Sequence, residues 1–307
     1  MRTFLIDTDT ASDDAVAILM ALAAPDVRVA ALTTVAGNVG LEQATRNALY
    51  TAEIAGSDVP VFKGAAAPLV RRHEDAFWFH GRDGFGDRGY PTPRRAAERE
   101  NAVDALVRLA HAEPGLTLVT LGPLTNIALA LAIDPHFAEL TQGIVIMGGS
   151  INPQTSDPEF ATNPRHEFNF WFDPEAAHVT LRAHWPRIDV TPVDVSVKAP
   201  FTKEMLDQIA QSSNPAARYI AAWSQDRYYL WDEFTACSWL NPSLVTGERV
   251  LYMDVDLSHG PSYGDTLTWT APMKPDTGVQ LVHAQMDLDL PKFTNMFVGL
   301  MKAPTSK

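Results

Sequence analysis

Four carboxylates fall within eight residues near the start of the chain, at Asp7, Asp9, Asp13 and Asp14 in the run DTDTASDD. Anions crowded at one point repel one another unless a cation neutralises them. Carboxylate oxygens, together with backbone carbonyls and water, suit a hard divalent ion, whereas zinc prefers His or Cys. Calcium is the first choice and magnesium the second. A purely structural reading explains half of the cluster: Asp13 and Asp14 favour the positive N-terminus of the helix that follows, with Ser12 as its cap. An EF-hand loop does not fit. Ala11 replaces a ligand, Ser12 replaces the turn glycine, and Ile18 stands where the bidentate glutamate belongs.

The elements that must position this cluster have an α/β rhythm. Thr3 to Ile6 is a short apolar run leading into Asp7, and Ala15, Ile18, Leu19 and Leu22 carry a helical period. Val27 to Val35 reads as a buried strand, Gly37 and Asn38 as a loop, and Leu41 to Ala55 as a helix. Leu116 to Leu121 and Ile144 to Met147 are further strands, separated by a helix from Leu124 to Ile133. Asp173 to Arg182 follows as a helix and Ile188 to Val195 as a strand. The alternation predicts one domain over residues 1–307, built on an open, mostly parallel, Rossmann-like sheet with helices on both faces. Ligands in such folds bind beyond the carboxyl ends of the strands, the edge where Asp7, Asp9, Asn38, Leu121 and Met147 fall. Two segments are too long for simple connections. Phe77 to Pro93, rich in Gly, Asp, Arg and aromatic residues, reads as a lid, and Gly148 to Arg165 is a polar stretch with three prolines.

Composition narrows the class. Apolar residues make up 46% and charged residues 20% of the 307, the proportions of a folded chain and not of a disordered one. Acidic residues outnumber basic ones 37 to 24, and the net charge of -13 argues against a nucleic-acid partner. A well-solvated surface accounts for that charge equally well. The single cysteine, Cys237, forms no internal disulfide, and the opening MRTFLIDTDT lacks a signal-peptide pattern, so a cytoplasmic location is expected. No stretch approaches the roughly 18 uninterrupted apolar residues of a bilayer span, so no membrane role is expected.

DTDTASDDAVAILMAL at 7–22 resembles the N-terminal signature of the inosine-uridine-preferring nucleoside hydrolases, and TTVAGN at 33–38 continues it. GPLTNIALAL at 122–131, IVIMGGS at 144–150 and HEFNFWFDPEAA at 166–177 follow in that family's order. Five ordered blocks covering most of the chain are far more specific than a lone DxDxxxDD. The resemblance implies calcium-dependent hydrolysis of the N-glycosidic bond of a small ribonucleoside to free base and ribose. It makes Asp9 the base that takes a proton from a water on the metal, with Asp9, Asp14, Asp232 and the Leu121 backbone carbonyl around the ion. Attack on the anomeric carbon through an oxocarbenium-like transition state needs negative charge near the ring and a firm hold on the hydroxyls. By the same resemblance Asp13 and Asn169 hold the 2′-hydroxyl, Asp232 the 3′-hydroxyl and Glu167 the 5′-hydroxyl, Asn38 joins the polar set, and Met147 lies under the sugar. Outside their block, Glu167 and Asn169 read as solvated loop residues. A homodimer or homotetramer is also implied.

Two departures from the family pattern bear on substrate. Members that accept pyrimidines commonly carry a His before the last metal aspartate, but YYLWDEFT places Trp231 there. Purine-preferring relatives stack the base on a tryptophan at this point, which implies a purine leaving group. Trp78 or Phe79 in the lid is expected to give the opposite face, with Tyr228 nearby, and His80 in FHGRDGFGD resembles the His-Gly of the family's mobile loop near the base. Taken alone, Trp231 beside Tyr228, Tyr229 and Leu230 on a helical segment reads as core, and His80 as a surface residue. The second departure is a long segment between Met147 and Glu167, where Asn152 or, by preference, Asn163 replaces the asparagine that contacts the 5′ side of the ribose. His73, His111, His136, His166, His178 and His184 show no metal-ligand spacing and are left out of the site.

Two other functions compete. A strand followed by DxDxT, here Asp7, Asp9 and Thr10, also opens the haloacid dehalogenase-type phosphatases, with Asp7 as nucleophile and Mg²⁺ as cofactor. That reading leaves Asp13, Asp14 and the later blocks unexplained, and Gly264-Asp265 follows a turn-rich stretch instead of a strand. A non-catalytic binder of nucleosides or sugars is the other, and Asp9 argues against it, since a binder needs no base beside the metal.

Overall fold

In the computed structural model, which describes residues 1–156, 165–198, 201–218 and 229–303, strands and helices alternate from the start. The chain runs through β1 (Arg2–Thr8), α1 (Ser12–Ala23), β2 (Val27–Thr34), α2 (Leu41–Ile54), β3 (Val61–Lys63), the short α3 (Phe77–His80), α4 (Ala102–Ala112), β4 (Thr117–Thr120), α5 (Thr125–Ile133) and β5 (Gly143–Met147). There follow α6 (Phe168–Phe172), α7 (Pro174–Arg182), β6 (Ile188–Thr191), α8 (Val193–Ser196), α9 (Lys203–Ala210) and α10 (Asp232–Leu240). The chain ends in β7 (Val245–Val255), β8 (Thr266–Trp269), β9 (Leu281–Leu288) and α11 (Leu290–Lys302). One nine-stranded sheet results, in the order β3-β2-β1-β4-β5-β6-β9-β7-β8. It is parallel from β3 to β9, and β7 runs antiparallel between β9 and β8.

β1 is interior to the sheet, and Phe4, Leu5 and Ile6 are all buried, because helices cover both faces. This is why it reads as a continuous apolar run and not an alternating one. α1 is buried from Ser12 through Ala21 and packs against α2, α10 and α11. Its Ala, Val, Ile, Leu and Met residues leave no polar stripe, the pattern of a core helix. Register then aligns the carboxyl ends of the central strands: Asp7 pairs with Thr33 of β2 and with Thr120 of β4, and Met147 of β5 pairs with Thr191 of β6.

Three local expectations are corrected. β6 stops at Thr191, not Val195, since Pro192 offers no N–H to the ladder and Val193–Ser196 turns helical. The N-cap of α1 is Ala11, not Ser12; the cap N–H is satisfied from within the helix, donating to Asp14 Oδ2 at 2.9 Å. Trp231 precedes α10 instead of lying on a helix. The elements β3, α4 and the antiparallel β7-β8-β9 unit had no counterpart in the sequence reading. Among the described residues no helix is long and apolar enough to cross a membrane. Asn163 and Tyr228 lie outside the described residues.

Candidate active site

The end of β1 delivers the carboxylates into the interior. Asp7 is fully buried, and its Oδ1 accepts from Thr33 Oγ1 at 2.5 Å and from Asn126 Nδ2 at 2.8 Å. Burial pushes its pKa up to about 7. Asp7 does not line the cavity described below.

Asp9 sits between two glycines. A Cβ at Gly37 would lie 2.1 Å from Asp9 Oδ2, and one at Gly122 would lie 2.7 Å from Oδ1. Asp9 Oδ2 accepts from the Asn38 backbone N–H at 2.6 Å, while Oδ1 is buried with no hydrogen-bond partner among the described residues. Burial first, and Asp14 second, push the Asp9 pKa well above the usual carboxylate range.

Around this residue three more carboxylates converge from two helix N-termini. Asp13 and Asp14 lie in the first turn of α1, Asp232 opens α10, and one oxygen from each lies within 4.8 Å of the others. Asp14 Oδ1 accepts from Thr8 Oγ1 at 2.5 Å, and burial, then Asp13, raises its pKa to about 6. Burial, followed by Asp14 and Asp13, drives that of Asp232 up as well. At an effective dielectric constant near 20, two unit charges about 5 Å apart repel by about 3 kcal/mol. A buried all-oxygen donor set, with an orphan carboxylate oxygen beside it, fits a hard divalent cation.

The walls rise from neighbouring strand ends. Leu121 follows β4, donates its N–H to Asp7 O at 2.8 Å, and turns its carbonyl towards Asn169, whose Nδ2 donates to it at 2.8 Å. The same Nδ2 lies 3.1 Å from Met147 O and 3.3 Å from Met147 Sδ. Glu167 is the N-cap of α6; its oxygens accept from the N–H groups of Asn169 at 2.8 Å, Phe170 at 3.0 Å and Gly149 at 2.9 Å. It therefore fixes the Gly148-Gly149 turn and the start of α6 together.

Asp13, Asn38, Leu121, Met147, Glu167, Asn169, Asp232, Trp78, His80 and Trp231 share one cavity of about 320 Å³. That volume lies in the range of small-molecule sites. Asp9 and Asp14 are fully buried and do not line it. Half-buried Trp231 meets Phe79 edge to face at 5.1 Å between ring centroids, and Tyr229 at 5.9 Å. Trp78 is at the mouth and 73% exposed, so Phe79 is the aromatic residue of the lid that touches Trp231. Asn152 is exposed and outside the cavity. Sequence reasoning passed over His166, Phe168, Trp171 and Val193, all in the wall. The placement of His166 directly before Glu167 was the available signal. Burial and then Arg71 hold the His166 pKa below its usual value, so it faces the cavity as a neutral ring.

Comparison with known proteins matches residues 4–295 to the family model for inosine-uridine preferring nucleoside hydrolase. The chain is 30% identical over 319 residues to the inosine-uridine preferring nucleoside hydrolase of Crithidia fasciculata, covering 98% of each chain. Among solved structures, a plant nucleoside hydrolase superposes with a TM-score of 0.90 at 31% identity over 99% of both chains. The purine-preferring ribonucleoside hydrolase from Gardnerella vaginalis does so with a TM-score of 0.87 at 28% identity, over 98% of this chain and 99% of that one. With the carboxylate cluster and its cavity at the sheet edge, these matches assign the chain to the inosine-uridine preferring nucleoside hydrolase family, hydrolases of N-glycosyl bonds.

Proposed function

We propose that the protein is a calcium-dependent ribonucleoside hydrolase that prefers purine bases. The observation that carries this reading is the cluster of Asp13, Asp14 and Asp232, of which Asp13 and Asp232 line the cavity, together with the buried, unpaired Oδ1 of Asp9, whose pKa burial, Asp14 and Asp13 raise. Asp9, Asp14, Asp232 and the Leu121 carbonyl would hold the cation, with magnesium the second choice. When bound, the ion lowers the pKa of a coordinated water and orients it for attack.

The chain's own groups do the rest. Asp9 Oδ1 accepts the proton of the attacking water, because Oδ2 is already held by the Asn38 N–H. A new bond forms between the water oxygen and the anomeric carbon as the bond to the base nitrogen breaks. The surrounding carboxylates stabilise the positive charge that builds on the ribose ring. Asp13 and Asn169 hold the 2′-hydroxyl, Asp232 the 3′-hydroxyl and Glu167 the 5′-hydroxyl, over a floor that includes Met147. The purine stacks against Trp231, with His80 also in the cavity wall. Asn163 and Tyr228 are retained as candidate contacts to the ribose and the base. We place the enzyme in the cytoplasm as a homodimer or homotetramer, to be checked by light scattering and fractionation.

The test is base release from inosine, adenosine, guanosine, uridine and cytidine, with p-nitrophenyl phosphate alongside, with calcium or magnesium and an Asp9→Ala control. Purine release that needs calcium and vanishes in the control supports the proposal. Uridine turned over as fast as inosine removes the purine preference, and silence on all nucleosides removes the reading.

A further inference from the structure

His80 is buried although it sits on the lid helix α3. Its Nδ1 lies 2.9 Å from Ser12 Oγ, and Asp13 Oδ1 is 3.8 Å from the same nitrogen. Ser12 is the first residue of α1 and is also buried, so this bond joins the carboxylate-bearing loop to the cavity wall. The wall is anchored there a second time. Asn47 Nδ2 donates to Thr10 O at 2.8 Å and to Asp83 O at 2.9 Å, clasping the same loop to the segment that follows α3. Gly84 packs into this clasp with φ of 75°; a Cβ there would lie 2.7 Å from Asn47 Nδ2.

The direction of the Ser12 bond bears on which tautomer a neutral ring adopts. If the serine donates, its hydrogen is paired and the neutral imidazole carries its proton on Nε2. If Nδ1 donates instead, the serine hydrogen must find another acceptor, and Ser12 Oγ has no other hydrogen-bond partner among the described residues. A buried unpaired donor is the costlier arrangement.

We propose that Ser12 is a positioning residue for His80: its hydroxyl donates to Nδ1, fixes the imidazole as the Nε2–H tautomer, and holds that ring in the cavity wall. In this tautomer the ring proton is on Nε2, and the ring plane is set by a group on the carboxylate-bearing loop. The geometric part stands on the Ser12 contact alone. The kinetic part rests on the nucleoside hydrolase reading above.

The test uses the full-length, calcium-loaded protein in two arms. Two-bond ¹⁵N–¹H correlation spectra of the histidine-labelled protein, with the His80→Gln spectrum to assign the signals, read the tautomer directly. His80 is expected as Nε2–H, and as a mixture in Ser12→Ala. On inosine, Ser12→Ala is expected to lose about tenfold in kcat with KM within about twofold, as for a misplaced acid–base group. Ser12→Thr, which keeps the hydroxyl, restores both readouts. A proton on Nδ1, or on both nitrogens, in the wild-type protein overturns the proposal. So does a Ser12→Ala enzyme with altered tautomer and unchanged kcat, and in that case the hydrolase reading survives, because Asp9→Ala tests it separately. A Ser12→Ala protein with a lower Tm but wild-type tautomer and kcat reduces Ser12 to a structural contact and overturns the proposal too.

Discussion

The backbone N–H of Asn38 donates to Asp9 Oδ2 at 2.6 Å, and this single bond decides which oxygen of the buried carboxylate is left to act. Asn38 in turn accepts from the Ala76 N–H at 2.9 Å, so the segment entering the lid is tied to the residue that orients Asp9.

Gly37 is expected to tolerate no side chain. Its φ is not in the left-handed region, so alanine fits the backbone, but the new Cβ would lie 2.1 Å from Asp9 Oδ2. Displacing a catalytic group by about 1 Å can cost about 100-fold, and Gly37→Ala should lower kcat/KM on inosine by about that much. Initial rates read the effect, and a variant within threefold of wild type would show that Asp9 is not held in a working position.

Metal-free protein should lose stability as pH rises. Asp7 and Asp14 titrate near 7 and 6 in the fold against 3.8 ordinarily, so between pH 4 and 7 the folded chain keeps protons that the unfolded chain has released. Stability is then greatest at the acid end and falls through the folded pKa values, by an amount on the order of a few kcal/mol. Calcium acts oppositely, because it needs ionised carboxylates. In chelator, Tm at pH 8 should lie below Tm at pH 5, and the rise on adding calcium should be larger at pH 8. A chelated Tm that does not change with pH contradicts the shifts.

Trp231→Ala tests stacking. A base–aromatic stack contributes about 1–3 kcal/mol, so KM for inosine should rise about tenfold or more, with a smaller change for uridine. Equal losses on both nucleosides would assign Trp231 to wall packing through Phe79 and Tyr229.

Asn126 should prove a stability residue at the strand ends. It donates to Asp7 Oδ1 at 2.8 Å and to Thr34 O at 3.1 Å, and accepts from Ala65 N at 2.8 Å. Each buried group left unpaired costs about 1–3 kcal/mol, so Asn126→Ala should lower unfolding free energy by about 3 kcal/mol or more in urea titration. Asn126→Asp, which sets a second carboxylate against Asp7, should be worse at pH 8 than at pH 5. Equal stability of both variants with wild type would contradict this role.

The parallel half of the fold was legible because its central strands are buried on both faces and announce themselves as apolar runs ending at Asp7, Leu121 and Met147. The antiparallel unit was not. β7 alternates between half-exposed and exposed over its first half, and Glu248 and Arg249 interrupt it, so no period stands out. The aspartate cluster was visible as charge density alone, which sequence spacing concentrates within one loop. Which carboxylates meet was less so: Asp13 joins Asp14 and Asp232 through the angle between α1 and α10, a tertiary relation without a local signal. Absence of metal-ligand spacing leaves His166 out of a sequence-based site, a criterion that says nothing about an imidazole in a cavity wall.

β9 is inserted between β6 and β7, so the sheet cannot close until residues 281–288 have been made. The cluster obeys the same timetable. Asp9, Asp13 and Asp14 leave the ribosome first, and at about 5–20 residues per second Asp232 arrives roughly tens of seconds later. Through that interval three carboxylates wait at the end of an unfinished sheet without the helix that completes them. Capture of a cation by this cluster would thus be a late event in the birth of the enzyme, coupled to its slowest long-range contacts and not to its earliest local ones.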